Sequence, residues 1–392
     1  MTGRWRFLLQ LMGGWVLSAA QVCAELTTAP ALPLARDLGE QVLEVTVSVQ
    51  DMHGRREQRT IPVTVFRPQG AGPFPLLVLN HGRAGTPQER AQPPRFRYEQ
   101  QVRYFVGKGF VVAVPTRVGY GQAQLDDFDP EFSGGCAQFQ IAPMSQAASD
   151  QVLAVVAQAH QWPGVDASRW WVAGQSVGGL TSVAVVMRAP AGLQGGINFS
   201  GGTGGNPKGR PGQPCGARHI ARHWQTQAVN AQVPMLWTYW QNDKYWGADI
   251  PVQWHQAYIQ GGGQADWVQL GPIPGDGHQG FTRDMDRWTP LVDRFLARWG
   301  LIQEALPAIP EASGIARIEE LERVPVSVGQ RNDLYSRFLA SPVPRAFAIG
   351  PSGQAGYATG DWAVGRALGF CQARSGVTCR LYAVDDRVVW TP

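Results

Sequence analysis

From residue 75 to residue 299 the chain alternates short apolar runs with longer stretches of helical pattern, a rhythm that few architectures can accommodate. Runs such as 75–80 (PLLVLN), 111–114 (VVAV) and 170–173 (WWVA) are continuous rather than alternating, as strands covered on both faces require. Further strands are expected at 195–199, 234–239 and 266–270, and helices at 96–108, 142–160, 177–188, 217–231, 251–260 and 281–299. The opening differs. Residues 41–50 (QVLEVTVSVQ) alternate like a half-buried strand, and 60–67 (TIPVTVFR) follow across a polar turn, so the pair reads as an antiparallel hairpin. Strand–helix units after an antiparallel start predict a mostly parallel, doubly wound sheet of about eight strands.

A hydrophobic content of 44% and a charged content of 16% exclude a disordered chain. The N-terminus carries Arg4 and Arg6, an apolar stretch over 7–20 and small residues before Glu25, the three-part build of a secretory signal peptide cleaved after Ala24. That apolar stretch is shorter than the roughly 20 residues needed to span a bilayer, and the mature chain offers no other span. Removing Arg4 and Arg6 lowers the formal net charge from +4 to +2, which argues neither for nucleic acid nor for an anionic membrane as partner. Export, to the periplasm or the medium, is the expectation.

Of five cysteines, Cys23 leaves with the signal. The remaining four, Cys136, Cys215, Cys371 and Cys379, predict two disulfides, because an even set in an exported chain is commonly oxidised. Cys371 and Cys379 are close in sequence and are expected to pair, leaving Cys136 with Cys215. On loop entropy alone these would contribute roughly 2.6 and roughly 4.5 kcal/mol.

The chemistry is carried by GQSVGG at 174–179, between an expected strand and an expected helix. A turn this sharp leaves no room for side chains two residues either side of the serine, and it lifts the Ser176 hydroxyl clear of the strand end. The following helix directs its N-terminal N–H groups at the same point. Ser200, in FSGG, also stands at a strand end but lacks the preceding glycine. The segment LNHGRAG at 79–85 follows another strand and can supply a second backbone donor. The N–H of Val177 and that of Arg83, with Gly82 as the alternative, are expected to form an oxyanion hole. His81 reads as structural. Among seven histidines, His278 alone lies in a glycine-rich loop, GDGHQG at 275–280, after the last strand, and is the expected base. Asp243, at the exit of strand 234–239, is the expected acid, with Asp249 and Asp276 as competitors. Trp240, Tyr245 and Trp246 flank Asp243 and are candidates to line a substrate pocket. His219 and His223 stand four residues apart without an apparent third ligand, so neither a metal nor a cofactor is expected.

LNHGRAG, GQSVGG, WQNDKYW and GDGHQGF, in that order and spacing, resemble the dienelactone-hydrolase-like branch of the α/β-hydrolases over roughly residues 42–299. The resemblance implies an α/β-hydrolase fold and hydrolysis of a small-molecule ester through an acyl-enzyme. Dienelactone hydrolases proper use cysteine where this chain has Ser176, which turns the expectation toward a carboxylesterase. The corresponding division is a catalytic domain over 25–302, a linker over 303–332 and a small α+β domain with its own disulfide over 333–392. Two long segments, 115–141 and 200–216, leave the C-terminal edge of the sheet, and Cys136–Cys215 is expected to staple them as substrate loops. The alternatives are a serine peptidase of prolyl-oligopeptidase type, disfavoured because no propeller-sized segment precedes the hairpin, and an inactive hydrolase scaffold serving as a binding protein. Oligomeric state is not legible.

Overall fold

Strand β1 (Gln41–Gln50) buries Val45, Val47 and Val49 and exposes the residues between them, the alternation of a strand with one wet face. It pairs antiparallel with β2 (Arg56–Phe66), whose second half is buried throughout. The computed structural model describes residues 1–2, 34–70, 72–125, 127–300, 309–360 and 363–390. The expected signal peptide lies outside them apart from its first two residues.

Six strands continue the sheet: β3 (Phe74–Asn80), β4 (Val111–Pro115), β5 (Val165–Gln175), β6 (Leu193–Phe199), β7 (Met235–Trp240) and β8 (Ala265–Leu270). Their order is β1-β2-β4-β3-β5-β6-β7-β8, and β2 runs against the others. This is the eight-stranded α/β-hydrolase sheet. One face is covered by α1 (Glu99–Gly107) through Val102 and Phe105. The other takes α2 (Ile141–Ala159), α3 (Val177–Met187), α4 (Ala217–Gln227) and α5 (Ile250–Gln260), with Met144, Leu180, Trp224 and Trp254 in its core. A sixth helix, α6 (Met285–Arg298), returns to the first face through Trp288 and Val292. Each such fully buried side chain contributes about 1.5–3 kcal/mol relative to exposure. Helix α3 is buried along its whole length, so its sequence is apolar or small on every side.

Three expected helices are shorter than the pattern predicts, the stretch 96–108 being helical only over Glu99–Gly107. The stretch 217–231 ends its α-helix at Gln227 and closes with a 3-10 turn, Ala228–Asn230. The stretch 281–299 is broken at Asp284, whose carboxylate accepts from Trp240 Nε1 at 2.6 Å and from Arg287 Nε, holding its backbone out of helical geometry.

A second sheet is built from β9 (Gly314–Ile315), β10 (Arg345–Ile349), β11 (Ala355–Thr359), β12 (Arg380–Val384) and β13 (Arg387–Val388), in the order β11-β10-β12-β13-β9. Every pairing in it is antiparallel. Alternation along β10 sends Ala346 and Ala348 to α7 (Ala363–Ser375), and Phe347 and Ile349 to the opposite face. That opposite face is covered by Val324, Val326, Tyr335 and Phe338. Part of the stretch expected as a linker is therefore built into this layer: β9 forms its edge, and Val324 and Val326 close its core.

Candidate active site

The sheet changes winding direction at β3, which pairs with β4 on one side and β5 on the other. Loops leaving β3 and β5 therefore diverge, and the crevice between them is where open α/β sheets bind ligands. Ser176 stands at the end of β5 with φ 58° and ψ −124°, a conformation that costs about 1–3 kcal/mol for a residue with a side chain. The surrounding glycines are steric necessities. A Cβ on Gly174 would lie 2.2 Å from the Gly178 carbonyl oxygen, and one on Gly178 would lie 2.1 Å from that of Asn80. The serine is thus held where the start of α3 presses against the end of β3.

His278 Nε2 lies 2.9 Å from Ser176 Oγ, and His278 Nδ1 lies 2.9 Å from Asp243 Oδ2. All three side chains are buried. Asp243 is fixed by more than the imidazole, because its Oδ1 accepts the N–H groups of Tyr245 at 2.8 Å and Trp246 at 3.1 Å. The competitor Asp276 ties its loop to the turn after β7, accepting from the backbone N–H of His278 and of Lys244. Gly277 and Gly280 let the histidine loop settle onto β7: a Cβ at Gly280 would lie 2.1 Å from the Trp240 ring.

Of the three aromatics expected to line a pocket, two meet the imidazole. Tyr245 stacks on His278 with centroids 4.0 Å apart, and Trp246 meets it edge-on at 5.3 Å. Trp240 is a correction. It is fully buried on the face of α1 and α6, because strand alternation puts it opposite Tyr239, and it forms the platform beneath the histidine loop.

The donors expected for an oxyanion hole are separated by the same geometry. Val177 is the first residue of α3, so its N–H is one of the four with no acceptor inside the helix. The Gly82 N–H, the alternative to that of Arg83, is taken by Tyr98 Oη at 3.3 Å. Among the described residues the Arg83 N–H has no acceptor, while the Arg83 guanidinium forks onto Asp129. His81 is locked: Nδ1 donates to the Gly82 carbonyl at 2.8 Å and Nε2 accepts the Arg117 N–H at 3.2 Å. Burial, reinforced by the Arg117 charge, holds its pKa well below the usual value, so it stays neutral.

The two long loops meet over this edge. Gly202 N–H donates to the Ser176 carbonyl at 3.2 Å, and Gly205 packs on Tyr245. Cys136 and Cys215 are disulfide-bonded, as are Cys371 and Cys379, and Phe139 fills the space beside Gly204 and Gly216. Gln175 was not singled out by its sequence, yet its side chain bridges the edge. Its Nε2 donates to the His278 carbonyl at 3.0 Å, and its Oε1 lies against Gly82. Its place inside GQSVGG was the available signal. Among the described residues no three His, Cys, Asp or Glu side chains are grouped to hold a metal.

Sheet order, the turn at Ser176 and the chain order serine, aspartate, histidine are those of an α/β-hydrolase fold. No family model matches the chain, and no curated protein matches it. Among solved structures it is similar to the Pyrococcus horikoshii acylaminoacyl peptidase, at 11% identity and a TM-score of 0.44 over 66% of this chain and 42% of that one. The chain thus matches about two fifths of that peptidase's length. It is also similar to the Pyrococcus furiosus esterase, at 12% identity and a TM-score of 0.45 over 68% of this chain and 94% of that one. A Thermogutta terrifontis esterase with propionate bound aligns at 14% identity and a TM-score of 0.43, over 68% and 96%.

Proposed function

We propose that this protein is a serine hydrolase that cleaves carboxylic esters through an acyl-enzyme. The observation that carries the reading is the hydrogen-bonded chain Ser176–His278–Asp243 at a strained strand end. In this reading His278 Nε2 takes the hydroxyl proton as Ser176 Oγ attacks the ester carbonyl, and the new oxyanion accepts from the N–H groups of Val177 and Arg83. The imidazolium, steadied through Nδ1 by Asp243, then protonates the departing alcohol. Water enters by the reverse sequence and releases the acid.

Tyr245, backed by the buried Trp246, forms the aromatic side of the acyl pocket, and the loops joined by Cys136–Cys215 form its rim. Two disulfides suit an oxidising compartment, which supports export behind a signal peptide cleaved after Ala24. Among the described residues no helix is long and apolar enough to cross a membrane. The domain proposal keeps the catalytic unit to residue 302 and counts the second sheet, from Gly314 onward, as its small companion.

A panel of p-nitrophenyl esters beside aminoacyl p-nitroanilides tests this reading, with fluorophosphonate labelling and Ser176→Ala as controls. Ester turnover is expected to exceed anilide turnover and to fall about 10⁶-fold in Ser176→Ala. Preference for the anilides would move the assignment to a peptidase. A wild-type chain that resists fluorophosphonate would remove the hydrolase reading altogether.

A further inference from the structure

Beneath the loop that carries Arg83 lies a buried ion pair that touches none of the reacting groups. Arg117 Nε donates to Glu131 Oε1 and Nη2 to Oε2, and both side chains are shielded completely from solvent. Tyr120 Oη donates to the same carboxylate at 2.9 Å. The guanidinium is shared, since Nη2 also donates to the His81 carbonyl at 2.9 Å while the Arg117 backbone N–H donates to His81 Nε2. The imidazole so gripped lies between Phe96, stacked at 3.7 Å, and the edge of Tyr120 at 4.5 Å, and its Nδ1 holds the Gly82 carbonyl. Tyr98 takes the Gly82 N–H. Each of these polar groups of His81 and Gly82 is therefore tied, and the next N–H along, that of Arg83, is left without an acceptor among the described residues.

We propose that Arg117 and Glu131 are positioning residues that set the oxyanion hole by fixing the loop from His81 to Arg83. The inference rests on the ester-hydrolase reading of the site. Two features favour it over a purely structural role. A buried ion pair is a poor stabiliser, because desolvation offsets most of its Coulomb energy, and apolar side chains of equal volume often serve stability as well. Apolar side chains could not, however, donate to the His81 carbonyl, so what the pair supplies is direction. The strand end also leaves no slack. A Cβ at Gly82 would already lie 3.2 Å from that of Ser176, so a small shift of the loop changes the distance between its donor and the carbonyl under attack. Glu131 stands five residues before Cys136, so the loop stapled over the site is the one that steadies its donor.

The test is a set of variants assayed per titrated active site. Arg117→Lys keeps the charge but cannot span Glu131 and the His81 carbonyl together; Glu131→Gln removes the charge; Tyr120→Phe removes one hydrogen bond and is the mildest. Active sites are counted by exhaustive fluorophosphonate labelling, which also shows whether Ser176 is reactive in the wild-type chain and so separates a failure here from a failure of the hydrolase reading. Arg117→Lys and Glu131→Gln are expected to lower kcat per site about 10- to 100-fold with KM within about threefold, short of the 10²- to 10³-fold seen when a donor is lost outright. Binding of a trifluoromethyl ketone, which reproduces the oxyanion, should weaken in parallel with kcat/KM. Should Glu131→Gln fail to fold, Arg117→Lys and Tyr120→Phe carry the test, with Tyr120→Phe expected to cost about two- to fivefold in kcat. Fewer titratable sites with unchanged kcat per site, or a rise in KM alone, would overturn the proposal.

Discussion

Two loops at the same sheet edge each hold a buried histidine beside a glycine, and only one is arranged to exchange a proton. In the loop after β8, His278 faces a carboxylate with Nδ1 and a hydroxyl with Nε2. In the loop after β3, His81 gives its proton to a carbonyl and accepts from a backbone N–H, so both nitrogens are occupied by groups that do not ionise. Burial is equal to within a few per cent, at 7% and 0% exposure. The partners, not the depth, separate a candidate base from a structural pin.

The largest expected effect breaks the comparison directly. His278→Ala removes the proton acceptor and is expected to lower kcat by at least about 10⁴-fold while leaving the melting temperature within a few degrees of wild type. His81→Ala should do the reverse in emphasis. It leaves the Arg117 N–H without an acceptor and opens a space between Phe96 and Tyr120, a loss of about 3–5 kcal/mol in stability, read by chemical denaturation. Equal losses of turnover and stability in both variants would erase the distinction.

A second prediction uses pH. Burial holds the pKa of His81 well below the usual value, and that of His223 and His255 below it to a lesser degree. The unfolded chain therefore binds protons near pH 6.5 that the folded chain refuses, so stability is full above that pH and falls as pH drops through it. His81 steepens this fall by at most about 1.4 kcal/mol per pH unit, and the partly exposed pair by less. Unfolding free energies measured from pH 7.5 to pH 5 should show the slope in the wild-type protein and a flatter one in His81→Ala. A wild-type slope of zero would mean that His81 is protonated in place.

The two loops also differ in how far sequence alone could reach them. The glycine spacing around Ser176 and the glycine-rich setting of His278 are local signals, and Ser176 Oγ and Asp243 Oδ2 each lie 2.9 Å from a ring nitrogen of His278. Strands were equally legible where burial is periodic or continuous, as in Gln41–Gln50 and Arg345–Ile349. What escaped depends on distant partners. Arg117 and Glu131 are 14 residues apart in an irregular segment, with no period to declare that they meet. Val324 and Val326 sit among charges and acquire a role only once β10 offers them a face. Trp240 and Tyr245 looked alike because the strand's alternation stops at Trp240, and beyond it only the turn at Asp243 decides which rings face the imidazole.

That last pair supplies the smallest prediction. Tyr245 lies over the His278 ring at an interplanar angle of 27°, so in the proposed reaction it would meet the imidazolium with its π face. Such a contact contributes about 0.5–2 kcal/mol to the charged form. Tyr245→Ala is expected to lower kcat/KM about 3- to 30-fold, while Tyr245→Phe, which keeps the ring, should stay within about twofold. His81 provides the contrast: it too has an aromatic neighbour stacked at 3.7 Å, but no cation forms there for the ring to stabilise. Phe96→Leu should therefore lower stability and leave kcat/KM within about twofold, whereas Tyr245→Ala should lower kcat/KM and leave stability nearly unchanged. Measuring kcat/KM and the unfolding free energy of both variants separates a ring that holds a histidine in place from one that attends its charge.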